Sequence, residues 1–110
     1  MTTQNKWEIW LAQVMFEEGT GLKNRPILVV SPEVAYIISL KITTHPPRSW
    51  CDGEYQIQNW KEAGLQKEST IRISKVLQMK PDDFIHKIGK LHPVDVYGVQ
   101  MLWERLHGRK

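Results

Sequence analysis

Cysteine is almost missing from this chain of 110 residues: Cys51 stands alone. That excludes an intrachain disulfide and favours a reducing compartment. Long apolar runs are missing too. The longest apolar-rich stretch, residues 34–40, is far too short to cross a bilayer. The opening residues 1–6 are polar and lack the apolar core of a signal peptide, so a cytoplasmic location is expected. No internal repeat, low-complexity tract or linker divides the chain, and its length suits one domain, residues 1–110. Cys-x-x-Cys and paired-histidine spacings are absent. His45 and Cys51 share one stretch, but two ligands fall short of the three or four that a zinc site needs. No metal or cofactor is expected. Neither sign of charge dominates: 15 basic and 12 acidic side chains leave +3, which permits an RNA partner without demanding one.

What is present is an ordinary globular composition, 41% hydrophobic and 25% charged. Residues 6–16 read as a strand, with Trp10, Ala12, Val14 and Phe16 on one face and Trp7, Ile9 and Leu11 on the other. A loop follows over residues 17–24, with Gly19 and Gly21 as breakers. Further strands are expected at residues 26–31, 34–43, 54–57, 70–73, 76–79 and 88–91. A helical turn at 59–63 would close on Gly64. Pro81 would open a short helix over 81–85. Residues 93–106 carry Val96, Val99, Trp103 and Leu106 on one helical stripe, with Gly108 just beyond as a stop. Many short strands and one terminal helix predict an α+β fold, a small SH3-like or barrel-like antiparallel sheet capped by the C-terminal helix.

The chemistry concentrates in residues 21–44, GLKNRPILVVSPEVAYIISLKITT. Lys23, Arg25, Lys41 and Arg48 have only Glu33 as an acid among them. As a hairpin, one strand would bury Pro26, Leu28 and Val30, and the other Ile38, Leu40 and Ile42. Burying both sets together fixes an even register that sets Thr43 opposite Lys23 or Arg25. Arg25, Lys41 and Thr43 then project from one face; a β-bulge would break that parity. An arginine fork matches phosphate oxygens bidentately, and a threonine hydroxyl donates to them at close range. From spacing alone, a surface ion pair at Arg25 and an ordinary strand threonine explain the pattern better. Arg48 and Trp50, in a proline-rich loop, suit stacking on an unpaired base, or folding back over the sheet end. The remaining tryptophans suit core or dimer-interface packing, and His86, His92 and His107 the surface.

LKNRPILVVS followed by LKITT resembles the PemK/MazF toxin family, and the resemblance reverses that balance. EIWLAQVMF resembles the family's opening strand. NWKEAGLQKESTIRISKV and IGKLHPVDV resemble its later strands and the start of its last helix. The resemblance implies a homodimeric, cytoplasmic toxin held by a cognate antitoxin. It also implies cleavage of single-stranded RNA to 2′,3′-cyclic phosphate and 5′-hydroxyl ends without a metal. Arg25 and Thr43 match the family's catalytic Arg-Pro and Ile-Thr positions, and Arg72 matches an arginine used by some members. Lys23, Asn24, Lys41, Thr44, Arg48 and Arg72 are the expected RNA-binding residues. Two positions depart from the pattern: Thr20 and Ser74 stand where many or some members carry an acid or histidine. Glu17 and Glu18 are possible substitutes, so the general base stays open. A non-catalytic alternative also stays open, either an RNA binder or a relative of the gyrase poisons that share this fold.

Overall fold

The computed structural model describes residues 3–15, 21–32, 37–47 and 53–106. Phe16, Glu17, Glu18, Thr20, Glu33, Arg48, Trp50, Cys51, His107 and Gly108, all named above, lie outside these residues. Among the described residues, six strands form one antiparallel sheet in the order β4-β5-β3-β2-β1-β6. They are β1 (Glu8–Met15), β2 (Leu22–Pro32), β3 (Ile37–Thr43), β4 (Glu54–Gln56), β5 (Thr70–Met79) and β6 (Phe84–Lys90), followed by helix α1 (Pro93–Leu106).

Alternation along the strands makes two cores. On one face, Ile9, Leu28, Leu40, Ile42, Ile71 and Ile73 pack under α1, which contributes Val99 and Leu102. The predicted helical stripe is this contact, since Val96, Trp103 and Leu106 lean on the same cluster. The other face carries Trp10, Ala12, Val14, Ile27, Val29, Ile37 and Met79, all buried. Among the described residues no helix belongs to that cluster, and Leu77 of β5 and Phe84 of β6 pack against it as the sheet curls. Trp10 stands edge-on to Phe84 with ring centroids 5.7 Å apart, closing β1 on β6.

Several expectations are corrected. β2 starts at Leu22, within the expected loop, because its ladder with β1 runs on through Gln13–Asn24, Val14–Lys23 and Met15–Leu22. The missing N–H of Pro26 therefore falls inside the strand rather than at its start. The two strands expected at 70–73 and 76–79 are one, β5, interrupted by a bulge. The helix expected from Pro81 is a single 3-10 turn, Pro81–Asp83, and β6 begins directly after it at Phe84, four residues earlier than expected. There Asp83 accepts the Lys80 N–H at 3.0 Å, and the Phe84 N–H closes the turn on the Pro81 carbonyl as the chain extends into β6. The turn after Asn59 does close on Gly64, whose φ of +93° suits glycine.

Glu8 ties the N-terminal turn to the sheet. Its side chain is 7% exposed. It accepts the Asn5 backbone N–H at 2.9 Å and the Trp10 indole N–H at 2.8 Å, and pairs with Lys87 at 3.1 Å. Burial raises its pKa, but these donors and Lys87 together outweigh burial and hold it at about 2, against 4.5 for a free side chain. A lowered folded pKa contributes stability above pH 4.5 that is lost as pH falls toward 2. Glu8→Gln should therefore lower the unfolding free energy at pH 7 by on the order of 2 kcal/mol. It should also flatten the acid limb, as denaturant titrations across that pH range will report.

Candidate functional site

Register places each candidate side chain. β2 and β3 pair Ile27 with Lys41, Leu28 with Leu40 and Val29 with Ser39, the even register that the apolar pattern requires. A bulge between Val29 and Ser31 breaks it only toward the turn. Extended by two residues in the other direction, the same register sets Arg25 beside Thr43. β5 then lies against β3 with Arg72 opposite Lys41 and Thr70 opposite Thr43. β4 adds Glu54 opposite Arg72 and Gln56 opposite Thr70.

Directly paired residues share a face. The sheet therefore carries two transverse rows on one surface. One row reads Glu54, Arg72, Lys41, Ile27 and Trp10; the other reads Gln56, Thr70, Thr43, Arg25 and Ala12. Lys23, two residues before Arg25, joins the same surface opposite Val14. Four of the expected site residues, Arg25, Thr43, Lys41 and Arg72, thus stand in adjoining positions, with Lys23 next along β2. The surface changes character along its length. At Trp10, Ile27 and Val29 it is buried apolar core, and at Arg25, Lys41, Thr43 and Arg72 it opens to half-buried polar groups.

Thr43 ends β3, where the chain turns away. Its Oγ1 accepts the His45 backbone N–H at 3.2 Å, which fixes the oxygen and leaves the hydroxyl proton able to donate outward. His45 Nδ1 lies 2.7 Å from the Pro46 carbonyl oxygen and, as the donor of that bond, carries the proton. The Arg25 side chain has no hydrogen bond or ion pair to any of the described residues. The residue is half-buried on β2, and its guanidinium carries five N–H donors.

Other expected residues fall elsewhere. Asn24 alternates onto the opposite side of β2, Thr44 lies just past the end of β3, and both are exposed. Thr44 lines a separate hollow of about 480 Å³ with Pro26, Leu11, Leu65, Lys67 and His86. Ser74 is exposed within the β5 bulge and does not join the rows. Glu54, Gln56 and Thr70 were not singled out in the sequence. Their only signal there is membership of short strands; their place beside Arg72 and Thr43 comes from a β4–β5 register that no local pattern dictates. Among the described residues, no three His, Cys, Asp or Glu side chains gather as metal ligands, and no helix is long and apolar enough to cross a membrane.

This curled sheet with one packed helix is the fold of the MazF-type toxins. The chain matches the Mycobacterium tuberculosis toxin MazF-mt6 with a TM-score of 0.72 over 94% of its length and 98% of that chain, at 18% identity. It matches an endoribonuclease from a mycobacterial species, solved in complex with its cognate antitoxin, with a TM-score of 0.75 over 98% of both chains, at 12% identity. A second mycobacterial endoribonuclease matches with a TM-score of 0.74 over 98% of this chain and 94% of that one, also at 12% identity. No curated protein sequence matches. The sequence profile of the PemK-like, MazF-like toxins of type II toxin–antitoxin systems matches residues 5–102, and the chain belongs to that family.

Proposed function

We propose that this toxin is a metal-independent endoribonuclease that cuts single-stranded RNA. The observation that supports it best is the gathering of Arg25, Lys41, Thr43 and Arg72 on one face from three strands. RNA brings its own nucleophile. The ribose 2′-oxygen loses its proton and attacks the adjacent phosphorus; the bond from phosphorus to the 5′-oxygen breaks; that oxygen takes up a proton. The products are a 2′,3′-cyclic phosphate and a 5′-hydroxyl, with no water consumed. The attack must run in line with the leaving oxygen, which an A-form duplex prevents, so the substrate is single-stranded.

Negative charge builds on the phosphoryl oxygens during the attack. Arg25 supplies two parallel N–H donors to that charge, and Thr43 donates its hydroxyl to a neighbouring oxygen. Lys41 and Lys23 hold the strand electrostatically, and Arg72 grips an adjoining phosphate. Arginine is not a base at working pH, so its part is electrostatic. The partners proposed are a second copy of the chain and a cognate antitoxin. Exposed apolar side chains support both: Met15 and Leu22, paired across β1 and β2, are each 58% exposed, and Val76 and Ile85 are exposed as well. Light scattering at micromolar concentration should give the mass of a dimer, and a monomer mass would remove that part of the proposal.

The test is to incubate the pure protein with mixed RNA in EDTA and identify the product ends. Cyclic phosphate and 5′-hydroxyl ends are expected at an undiminished rate. An oligonucleotide with 2′-deoxyribose at the cleavage position should bind and stay whole. Cutting of that oligonucleotide, or arrest by EDTA, would replace 2′-hydroxyl attack with metal-assisted hydrolysis.

A further inference from the structure

An acid closes one end of the cationic row. Glu54 opens β4, and its side chain is 1% exposed. Its cross-strand neighbour is Arg72, whose side chain is 17% exposed, and Glu54 Oε2 lies 3.3 Å from Arg72 Nε. A carboxylate enclosed this far keeps its charge only against a cation. The contact is electrostatic rather than an aligned hydrogen bond, and it takes the guanidinium by its inner nitrogen. On its other side Arg72 faces Lys41, so an acid, an arginine and a lysine stand in sequence across three strands.

The backbone holds this pair in place from both strands. β5 bulges immediately after Arg72: Lys41 pairs with Arg72, but the preceding β3 residue, Leu40, pairs with Val76. Within the bulge, the Ile73 and Ser74 N–H groups both reach the Gly53 carbonyl, at 2.7 and 3.4 Å. The residue before Glu54 thus anchors the residues that follow Arg72. Bulges of this kind re-aim a side chain.

We infer that Glu54 is the positioning residue for Arg72, an inference that rests on the nuclease reading of this face. Glu54 is too deeply enclosed to touch RNA. It fixes the direction of the Arg72 guanidinium and offsets the repulsion between Arg72 and Lys41. The acid that accompanies this arginine therefore comes from across a strand pair, not from the downstream position held by Ser74.

Glu54→Gln keeps the shape and removes the charge. The loss of orientation at Arg72 should lower kcat by roughly 10- to 100-fold. Affinity for the uncleavable 2′-deoxy oligonucleotide should change far less than kcat, because the looser grip of Arg72 on its phosphate is offset by the loss of a negative charge from the face. General destabilisation would weaken both together. Glu54→Asp, which keeps the charge on a shorter arm, should recover part of kcat. In an Arg72→Ala background, Glu54→Gln should lower kcat no further. A parallel fall in affinity and kcat, or an undiminished effect of Glu54→Gln without Arg72, would overturn the inference.

A readout independent of cutting is the NMR resonance of the Arg72 Nε–H. Glu54→Gln should shift it and speed its exchange while distant backbone signals stay put; an unchanged resonance overturns the inference. If the wild-type protein cuts no RNA, the nuclease reading fails by itself, and this resonance still decides whether Glu54 holds Arg72. If Glu54→Gln does not fold, Glu54→Asp carries the same measurements, with a smaller shift and a smaller loss of kcat.

Discussion

Arg25→Ala should lower the rate of RNA cutting by roughly 10² to 10³, the usual consequence of losing one fixed donor to transition-state charge. The fold should survive. Arg25 is half-buried and its side chain makes no hydrogen bond or ion pair among the described residues, so its removal strands no partner. Thermal midpoints of the two proteins should agree within a few degrees. Arg25→Lys should not restore activity. Lysine offers a point charge on a flexible stem, whereas the guanidinium presents two parallel N–H groups to two oxygens. Binding of the 2′-deoxy oligonucleotide should be close to normal in Arg25→Lys, because the charge remains, so the defect should appear in kcat and not in affinity. Single-turnover rates at saturating enzyme separate the two. An Arg25→Lys protein that cuts at the wild-type rate would reduce Arg25 to a phosphate anchor.

Much of this arrangement was legible before the structure. The alternation of Leu28 with Leu40 and of Ile27 with Lys41 follows from burying two apolar stripes at once, and that alone sets Arg25, Lys41 and Thr43 on one face. The terminal helix was legible for a similar reason, since Val96, Val99, Trp103 and Leu106 repeat at helical spacing over many residues. Features that depend on two distant strands were not legible. The β5 bulge splits one apolar strand into what reads as two, because Ser74 and Lys75 interrupt the alternation and nothing local announces that Gly53 will take the freed N–H groups. Glu54 has the same history. Its place at the head of a short strand over 54–57 was legible, but only the β4–β5 register turns it inward against Arg72.

A second buried acid was equally inconspicuous. Asp95 lies in the first turn of α1, where an acid ordinarily signals no more than a favourable place on the helix dipole. Here it is 0% exposed. One carboxylate oxygen accepts the Tyr55 hydroxyl at 2.7 Å and the Gln58 N–H at 2.9 Å; the other accepts the Asn59 N–H at 2.9 Å, with the Asn59 amide at 3.5 Å. Burial and then the Asp95 bond both push the Tyr55 phenol above its ordinary pKa, so it stays a donor throughout the working range. Gly98, one turn further along α1, gives the Tyr55 ring room, since a Cβ there would collide with it.

Asp95 thus joins the terminal helix to β4 and to the turn that follows it. Asp95→Ala would take the acceptor from the Tyr55 hydroxyl and from the Gln58 and Asn59 backbone N–H groups, at about 1–3 kcal/mol each, and would free the Asn59 amide. A loss of roughly 4 kcal/mol is expected, a large part of the stability of a domain this size. The thermal midpoint should fall by about 15 °C or more. Asp95→Asn should fare little better, because an amide turns an N–H toward donors and can accept at only one of its two positions. Tyr55→Phe, which removes one donor and leaves the carboxylate two backbone partners, should cost about 2 kcal/mol. Equal losses in Asp95→Ala and Tyr55→Phe would show that the backbone N–H groups of Gln58 and Asn59 find water instead, and that the helix is held by its apolar stripe alone.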